Sequence, residues 1–214
     1  FNKNDIAILV GGSGLYINTV LYGLDEMPGI STEVRNSLYL DLELKGIKKL
    51  QEKLKLLDPS SYRSIDINNP RRLIRALEVS ISTGKSYSSF LKKKKKKRDF
   101  NIIVLGMNQE RLDLYKKINT RVDNMVESGL INEVKELYTL KGLNTLNTIG
   151  YSEVFNYIED KYSLDECINE IKKNTRRYAK RQLTWFKSID RVEWITPDYT
   201  FEKVIAYIKS LIGN

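Results

Sequence analysis

Short apolar runs at three places along the chain predict β-strands. They lie at Ile6–Val10, from Phe100 to Gly106, and at Val192–Ile195. The first two are continuous runs of the kind that is typical of parallel strands buried on both faces. The first run ends at Gly11-Gly12, which signals a turn. Because the three runs are separated by helical patterns, we predict a parallel α/β sheet.

Elsewhere the apolar residues recur with the period of amphipathic helices. The pattern predicts helices at 13–22, 33–45, 47–56, 70–83, 109–127, 130–140, 151–159, 163–186 and 201–212, with a short one after Asp58. Pro70 lies in the first turn of its helix and Gly84 follows the last turn, which are expected start and stop signals. Ser163 and Glu166 have capping-box spacing.

The strand patterns are absent between residues 30 and 92, where only helical patterns occur. We therefore predict an α/β core formed by 1–29 and 99–214, with an all-helical subdomain inserted at 30–98. The basic run at 92–98 would be the linker that leaves this insertion, and we expect proteases to cut there first. Three strands make a thin sheet and the chain starts without Met, so we expect an incomplete core.

The composition excludes several classes of protein. The 214 residues include no His and one Cys, Cys167. A zinc finger, a Ser-His-Asp triad and a Cys-His dyad within this chain are therefore excluded. A single Cys cannot form an internal disulfide, which favours a cytoplasmic location. No apolar run approaches the roughly 18 residues of a membrane span, so we expect no membrane partner.

The net charge of +9 depends largely on one segment. Lys92–Arg98 is seven consecutive bases, and nine minus these seven leaves +2 for the rest of the chain. Such a run is typical of a solvated loop. The overall basicity is therefore weak evidence for a nucleic-acid partner.

Two glycine-containing segments come close to phosphate-binding motifs without matching them. Gly12-x-Gly14 lacks the third glycine of a dinucleotide fingerprint, because Ile17 stands there. Gly84-Lys85-Ser86 lacks the first glycine of a P-loop, because Val79 stands there, and we interpret it as a helix cap. The first segment is either a tight turn or a ligand-facing turn that presents the hydroxyl of Ser13.

The stretch from Ile171 to Lys187 contains seven bases and no acid. Arg176, Lys180 and Thr184 follow one another on one helix face, with a second basic row beside them. A helix with this charge predicts an anionic partner. Gln182 and Trp185 add an amide and a stacking surface, which suit RNA.

Three further features have two interpretations each. Arg71 and Arg75, one helical turn apart, could pair with Glu78 or grip phosphates. The Asn147–Tyr151 segment could be a capping turn with a packed tyrosine or a ligand-binding turn. Arg121 could be a solvated side chain or a ligand for a phosphate group.

Five segments in the same order resemble the tRNA dimethylallyltransferases, also called tRNA isopentenyltransferases. The resemblance covers nearly the whole chain. Small departures are Ser13, where the family often has Thr, and Arg177, where it often has Gln. The matching segments are VGGSGLYINTVLYGLD at 10–25, NNPRRLIRALEVSISTGKS at 68–86, RVDNMVESGLINEV at 121–134, NTIGYSEVFNYI at 147–158 and NTRRYAKRQLTWFK at 174–187.

The resemblance implies a P-loop-NTPase-like α/β core with a helical insertion that grips the anticodon stem-loop of tRNA. The family's reaction moves a dimethylallyl group from dimethylallyl diphosphate to the exocyclic amine of an adenine beside the anticodon. The adenine must leave its stack to react, and cations, usually including Mg²⁺, take the charge of the leaving diphosphate. The protein is expected to be a cytoplasmic monomer.

The resemblance also implies roles for particular residues. Arg121 would bind the diphosphate of the donor, and no catalytic residue is assigned in this chain. The remaining positions would contact tRNA: Ser13, Arg35, the strip Arg71, Arg72, Leu73, Ile74 and Arg75, the segment Asn147, Thr148, Ile149, Gly150, Tyr151 and Ser152, and the segment Lys180, Arg181, Gln182, Leu183, Thr184, Trp185, Phe186 and Lys187.

One departure from the family is large. Its members begin with a P-loop and a general-base Asp, and these 214 residues contain no counterpart of either. Both are therefore expected upstream of Phe1, the first residue of the sequence. We expect the chain as written to bind tRNA weakly and to transfer nothing. The alternative is a non-catalytic RNA- or nucleotide-binding α/β protein.

Overall fold

The computed structural model describes residues 4–91, 96–189 and 192–212, so Phe1 lies outside the described residues. The described residues form two compact units. One contains those up to Ile17 and those from Phe100 onward, and the other runs from Asn18 to Asp99. The predicted insertion at 30–98 lies inside the second unit, and its role as an RNA-binding domain stays a prediction.

A small parallel sheet forms in the first unit. Strand β1 (Val104–Met107) pairs with β2 (Val192–Ile195) in the register Val104 to Val192 and Met107 to Ile195. The amide of Asn108 extends the pairing by donating to the carbonyl of Ile195 at 2.8 Å. Parallel neighbours joined by a helical crossover confirm the predicted α/β class. Residues 100–103 of the second predicted strand remain outside β1.

The crossover between these strands is helical. Its α-helices are α6 (Arg111–Glu127), α7 (Leu130–Glu136), α8 (Tyr151–Ile158) and α9 (Leu164–Phe186). Two helices lie outside the crossover, α1 (Gly14–Tyr22) before β1 and α10 (Phe201–Ile212) after β2. The four crossover helices bury one apolar core against each other. Its residues are Val122, Leu130, Val134, Val154, Phe155, Cys167 and Ile171.

The first predicted strand, at 6–10, is wrong for this structure. These residues adopt no strand, and Ile8 and Val10 are 84% and 88% exposed. An apolar run becomes a strand only when a neighbouring strand pairs with its backbone. None of the strands in the described part of the chain lies beside this run.

The elements that form in the described residues of the second unit beyond α1 are all helices. They are α2 (Thr32–Leu57), α3 (Pro59–Ser64), α4 (Pro70–Thr83) and α5 (Tyr87–Phe90). Gly46 breaks α2 with φ 72° and ψ 172°, which confirms the two separate helices predicted there. The core lies between α2 and α4. It contains Leu38, Leu50, Leu54, Leu73, Ile74, Ala76 and Leu77.

A buried carboxylate joins the short helices of this unit. Asp58 accepts hydrogen bonds from the amide and hydroxyl of Ser61 at 3.0 and 2.6 Å. It also accepts two from Ser88, both at 2.8 Å. The carboxylate therefore caps α3 and fixes the first turn of α5.

The basic run is more structured than a solvated linker at its described end. Residues 92–95 of the predicted linker lie outside the described residues. Arg98 donates to the carbonyls of Thr19 at 2.8 Å and Leu21 at 3.3 Å, and the amide of Lys96 donates to Tyr22 at 2.9 Å. A cation at the C-terminal end of α1 is favoured by the partial negative charge of the helix terminus.

The predicted helix caps are confirmed. Gly84 ends α4 in a left-handed conformation, with φ 67°, so the Gly-Lys-Ser sequence is a cap. Ser163 and Glu166 form the capping box of α9. No helix in the described ranges is long and apolar enough to cross a membrane.

Candidate nucleic-acid interface

The glycine turn at 11–14 lies against the C-terminal half of α9. The amide nitrogen of Gln182 donates to the carbonyl of Gly12 at 2.8 Å. A Cβ added at Gly12 would overlap that nitrogen. The turn that carries Ser13 therefore sits beside a helix that is about 170 residues away in the sequence.

Trp185 makes the second contact of this junction. A Cβ added at Gly14 would lie 2.5 Å from two carbons of the Trp185 ring. Phe186 packs edge-to-face on the same ring, with centroids 4.9 Å apart. The turn therefore needs glycine at both positions, because it packs so closely against α9 that a Cβ has no room there.

A basic face is exposed in the same C-terminal half of α9. At 3.6 residues per turn, Arg177, Lys180, Arg181, Thr184 and Lys187 fall on one side of the helix, and all five are exposed. We call these five residues the basic face. It presents four cations and one hydroxyl. Such a surface matches a phosphate backbone by charge.

The other three bases of α9 have protein partners. Lys172 pairs with Asp123 at 2.5 Å, and Lys173 pairs with Glu170. Arg176 donates to Asn119 at 2.6 Å. The Arg176 guanidinium therefore holds α9 against α6, and its predicted place in an RNA-facing row with Lys180 stays a prediction.

The predicted segment Asn147–Ser152 is also held against α9. Gly150, with φ 100°, begins α8, and the Glu153 carboxylate accepts from its amide at 2.7 Å. The other oxygen of Glu153 accepts from Asn174 of α9 at 2.8 Å. Tyr151 packs edge-to-face on Phe155 and donates its hydroxyl to Glu133. These contacts support the interpretation of the segment as a capping turn with a packed tyrosine, and its role as a ligand-binding turn stays a prediction.

The predicted strip on α4 divides into two faces. Leu73 and Ile74 are buried in the core of the second unit, so their side chains cannot contact RNA. Helical periodicity places them opposite Arg71 and Arg72, which are exposed. The strip is therefore corrected to its arginines.

One contact in the second unit was missed at the sequence level. The Glu78 carboxylate is buried and binds both Arg75 and Arg35. The pairing with Arg75 was one of two interpretations, whereas the contact from α2 gave no local signal. The only local indication was the acidic residue between the apolar residues Leu77 and Val79 on a buried helix face, because a buried acid usually has a charged partner.

The remaining candidates are Arg121, Cys167 and a metal site. Arg121 is exposed on α6. Cys167 is buried, and burial together with nearby Glu153 raises the pKa of its thiol to about 11, so it is not a nucleophile. In the described part of the chain, no three acidic or thiol side chains lie close enough together to hold a metal ion.

The general base is not assigned to any residue of this structure. The expectation about the position of the base therefore stays a prediction, and Phe1 lies outside the described residues.

Comparison with known sequences identifies the family of this chain. A family model described as IPP transferase matches residues 1–189. The tRNA dimethylallyltransferase of Christiangramia forsetii is 50% identical over 214 residues, which cover all of this chain and 71% of that protein.

Solved structures agree. The tRNA isopentenylpyrophosphate transferase of Bacillus halodurans matches with a TM-score of 0.55 and 37% identity, over 93% of this chain and 63% of that one. A eukaryotic dimethylallyltransferase acting on tRNA matches with a TM-score of 0.71 over 95% of this chain and 56% of that one. Its 24% identity shows the fold alone. The predicted class, a P-loop-like α/β core with a helical insertion, is confirmed.

Proposed function

The chain belongs to the IPP transferase family, and from this premise we propose that it provides tRNA-binding surfaces of a tRNA dimethylallyltransferase. The reaction transfers a dimethylallyl group from dimethylallyl diphosphate to an adenine amine beside the anticodon. A cytoplasmic location and a monomeric state belong to the same proposal.

The observation that carries the proposal is the junction between the glycine turn and α9. Gln182 and Trp185 hold the turn of Ser13 against the C-terminal half of α9, the part of the helix that carries the basic face. The hydroxyl-bearing turn and the four exposed cations thereby belong to one compact unit. A phosphate backbone needs the cations, and the turn adds a short polar side chain and backbone amides to the same unit.

The junction also refines the roles within 180–187. The Gln182 amide is engaged by Gly12, and Trp185 covers Gly14. We therefore assign positioning roles to these two side chains, and direct RNA contact to Lys180, Arg181 and Lys187.

The donor end of the reaction rests on Arg121. We propose that its exposed guanidinium binds the diphosphate of the donor, because a guanidinium can donate two parallel hydrogen bonds to phosphate oxygens. Mg²⁺ remains part of the family expectation. The described residues bring together no cluster of acidic or thiol side chains that could hold this ion.

Variants of the intact protein distinguish the residues that bind RNA from the residue that binds the donor. Lys180→Ala and Arg181→Ala should each weaken binding of an anticodon stem-loop RNA. Each lost phosphate contact should reduce the slope of log affinity against log salt by roughly 0.7–0.9. Affinity for dimethylallyl diphosphate should stay unchanged. Arg121→Ala should weaken donor binding and leave RNA affinity unchanged.

Lys116→Ala is the matched control, because it removes one exposed cation from α6 without touching the basic face. It should leave the salt slope unchanged. A binding defect as large as that of Lys180→Ala would show that net charge alone matters. The alternative, a non-catalytic RNA- or nucleotide-binding protein, predicts binding without dimethylallyl transfer, and transfer measured on an unmodified anticodon stem-loop RNA excludes it.

A further inference from the structure

A buried carboxylate gathers two arginines from different helices of the second unit. Glu78 on α4 is 1% exposed. One of its oxygens accepts from Nε of Arg35 at 2.7 Å, and the other accepts from a terminal nitrogen of the same guanidinium at 3.0 Å. That second oxygen also accepts from Arg75 at 2.7 Å. Arg35 lies on α2, 43 residues away.

The arrangement fixes both guanidiniums. Arg35 uses two donors in a bidentate bond, which sets the plane of its group. Burial opposes ionisation of Glu78, but hydrogen bonds from Arg35 and Arg75 outweigh it, so the pKa of the carboxyl lies below its ordinary value. Glu78 is therefore charged at neutral pH, and each guanidinium keeps a defined direction.

Both arginines still reach solvent. Their side chains are 50% and 38% exposed, although the carboxylate between them is buried. Two cations on one anion leave an excess charge of +1. Arg71 lies one turn before Arg75, and its side chain is exposed. The surface of this cluster therefore attracts an anion.

Stability alone is a weak reason for such a cluster. A buried ion pair is often replaced by apolar residues of similar volume at no cost in stability. Here Leu77 and Val79, the immediate neighbours of Glu78, are themselves buried apolar residues. A carboxylate in this place has the particular effect of aiming two half-exposed arginines.

We propose that Glu78 is a positioning residue that presents Arg35 and Arg75 together as one binding unit for an RNA phosphate. The proposal rests on the function proposed above and adds to it how the second unit holds the RNA. Preorganised guanidiniums lose less side-chain freedom on binding than two independent arginines.

The test measures binding of an anticodon stem-loop RNA to the intact protein by fluorescence anisotropy at low and high salt. Glu78→Gln keeps the size of the side chain and removes one negative charge. A role through charge alone would make this variant bind RNA more tightly. Positioning predicts weaker binding by about tenfold, equivalent to one charge-assisted hydrogen bond. The salt slope should not become shallower.

Arg35→Lys and Arg75→Lys supply the second arm, because they keep the charge and lose the planar fork. Each should weaken binding by about tenfold at an unchanged salt slope. The double variant should lose less than the product of the two single losses, because both residues serve one phosphate. Arg63→Lys, an exposed arginine of α3, is the matched control and should bind as the wild type does.

The outcomes separate the two proposals. If the wild type does not bind the RNA, the proposed function fails and this inference fails with it. If the wild type binds while Glu78→Gln binds equally or more tightly, only the positioning role is refuted. If Glu78→Gln fails to fold in thermal melts, the lysine variants decide: full affinity in both refutes the inference, and coupled losses support it.

Discussion

Two glycines show at the scale of single residues how close packing builds the candidate interface. Gly12 and Gly14 have no room for a Cβ, because Gln182 and Trp185 of α9 occupy the space. Their neighbour Gly11 has no atom within 4 Å of an added Cβ. The glycine turn therefore contains its own control position.

We predict that Gly14→Ala disrupts this junction and Gly11→Ala does not. The Trp185 ring is rigid, so the added methyl must displace the turn or the ring at a cost of about 1–3 kcal/mol. Gly12→Ala should cost less, because the long Gln182 side chain can move away. Thermal melts and RNA affinity of the intact protein measure both effects. Equal behaviour of Gly11→Ala and Gly14→Ala would contradict the packing argument.

The exposure or burial of a residue was predictable where helical periodicity alone decides it. The exposure of Arg71 and the burial of Leu73 follow from the helical repeat of α4, yet the resemblance had placed both in one RNA-binding strip. Arg176 shows the limit of that approach. Its partner Asn119 lies 57 residues away, and no local pattern announces that contact.

At the scale of elements, one carboxylate joins α3 to α5. Asp58 accepts four hydrogen bonds from Ser61 and Ser88 and is almost fully buried. Burial opposes its ionisation, but these bonds outweigh that effect and hold the pKa of Asp58 below its ordinary value. Its contribution to stability is therefore complete above the ordinary carboxyl pKa and is lost as pH falls through the lower, folded-state pKa.

We predict that Asp58→Asn destabilises the protein by about 1–3 kcal/mol at neutral pH. The amide NH₂ of the new side chain would face N–H and O–H groups whose hydrogen bonds a carboxylate oxygen now accepts. The loss should shrink as the pH falls from about 4, the ordinary carboxyl pKa, through the lower folded-state pKa of Asp58, where the wild-type carboxylate also becomes protonated. Urea unfolding at several pH values measures it. Asp66→Asn, at an exposed site of the same unit, is the control. A loss that does not depend on pH would contradict the electrostatic part.

The elements themselves were predicted with uneven success, for a physical reason. The capping box of α9 and the glycine cap of α4 are local signals, and both helices have those caps where the signals predict them. The run at 6–10 carries an equally clear strand pattern and forms no strand. A strand depends on a neighbour elsewhere in the chain, so its pattern is necessary and not sufficient.

At the scale of the whole molecule, the family membership and the charge distribution support one function. The chain spans 71% of its Christiangramia forsetii relative and matches an IPP transferase model over residues 1–189. Of the seven bases between residues 171 and 187, three hold other parts of the fold and four lie on the exposed basic face. The net charge of +9 did not reveal this division, because it counts every base alike.

The division of α9 is the central claim, and chemical footprinting of lysines tests it most directly. Lysines of the intact protein are acetylated with and without an anticodon stem-loop RNA, and each modified peptide is quantified by mass spectrometry. The account predicts that RNA protects Lys180 and Lys187, while Lys116 on α6 and Lys172, paired with Asp123, keep their reactivity. Unchanged reactivity of Lys180 and Lys187 at saturating RNA would contradict the account.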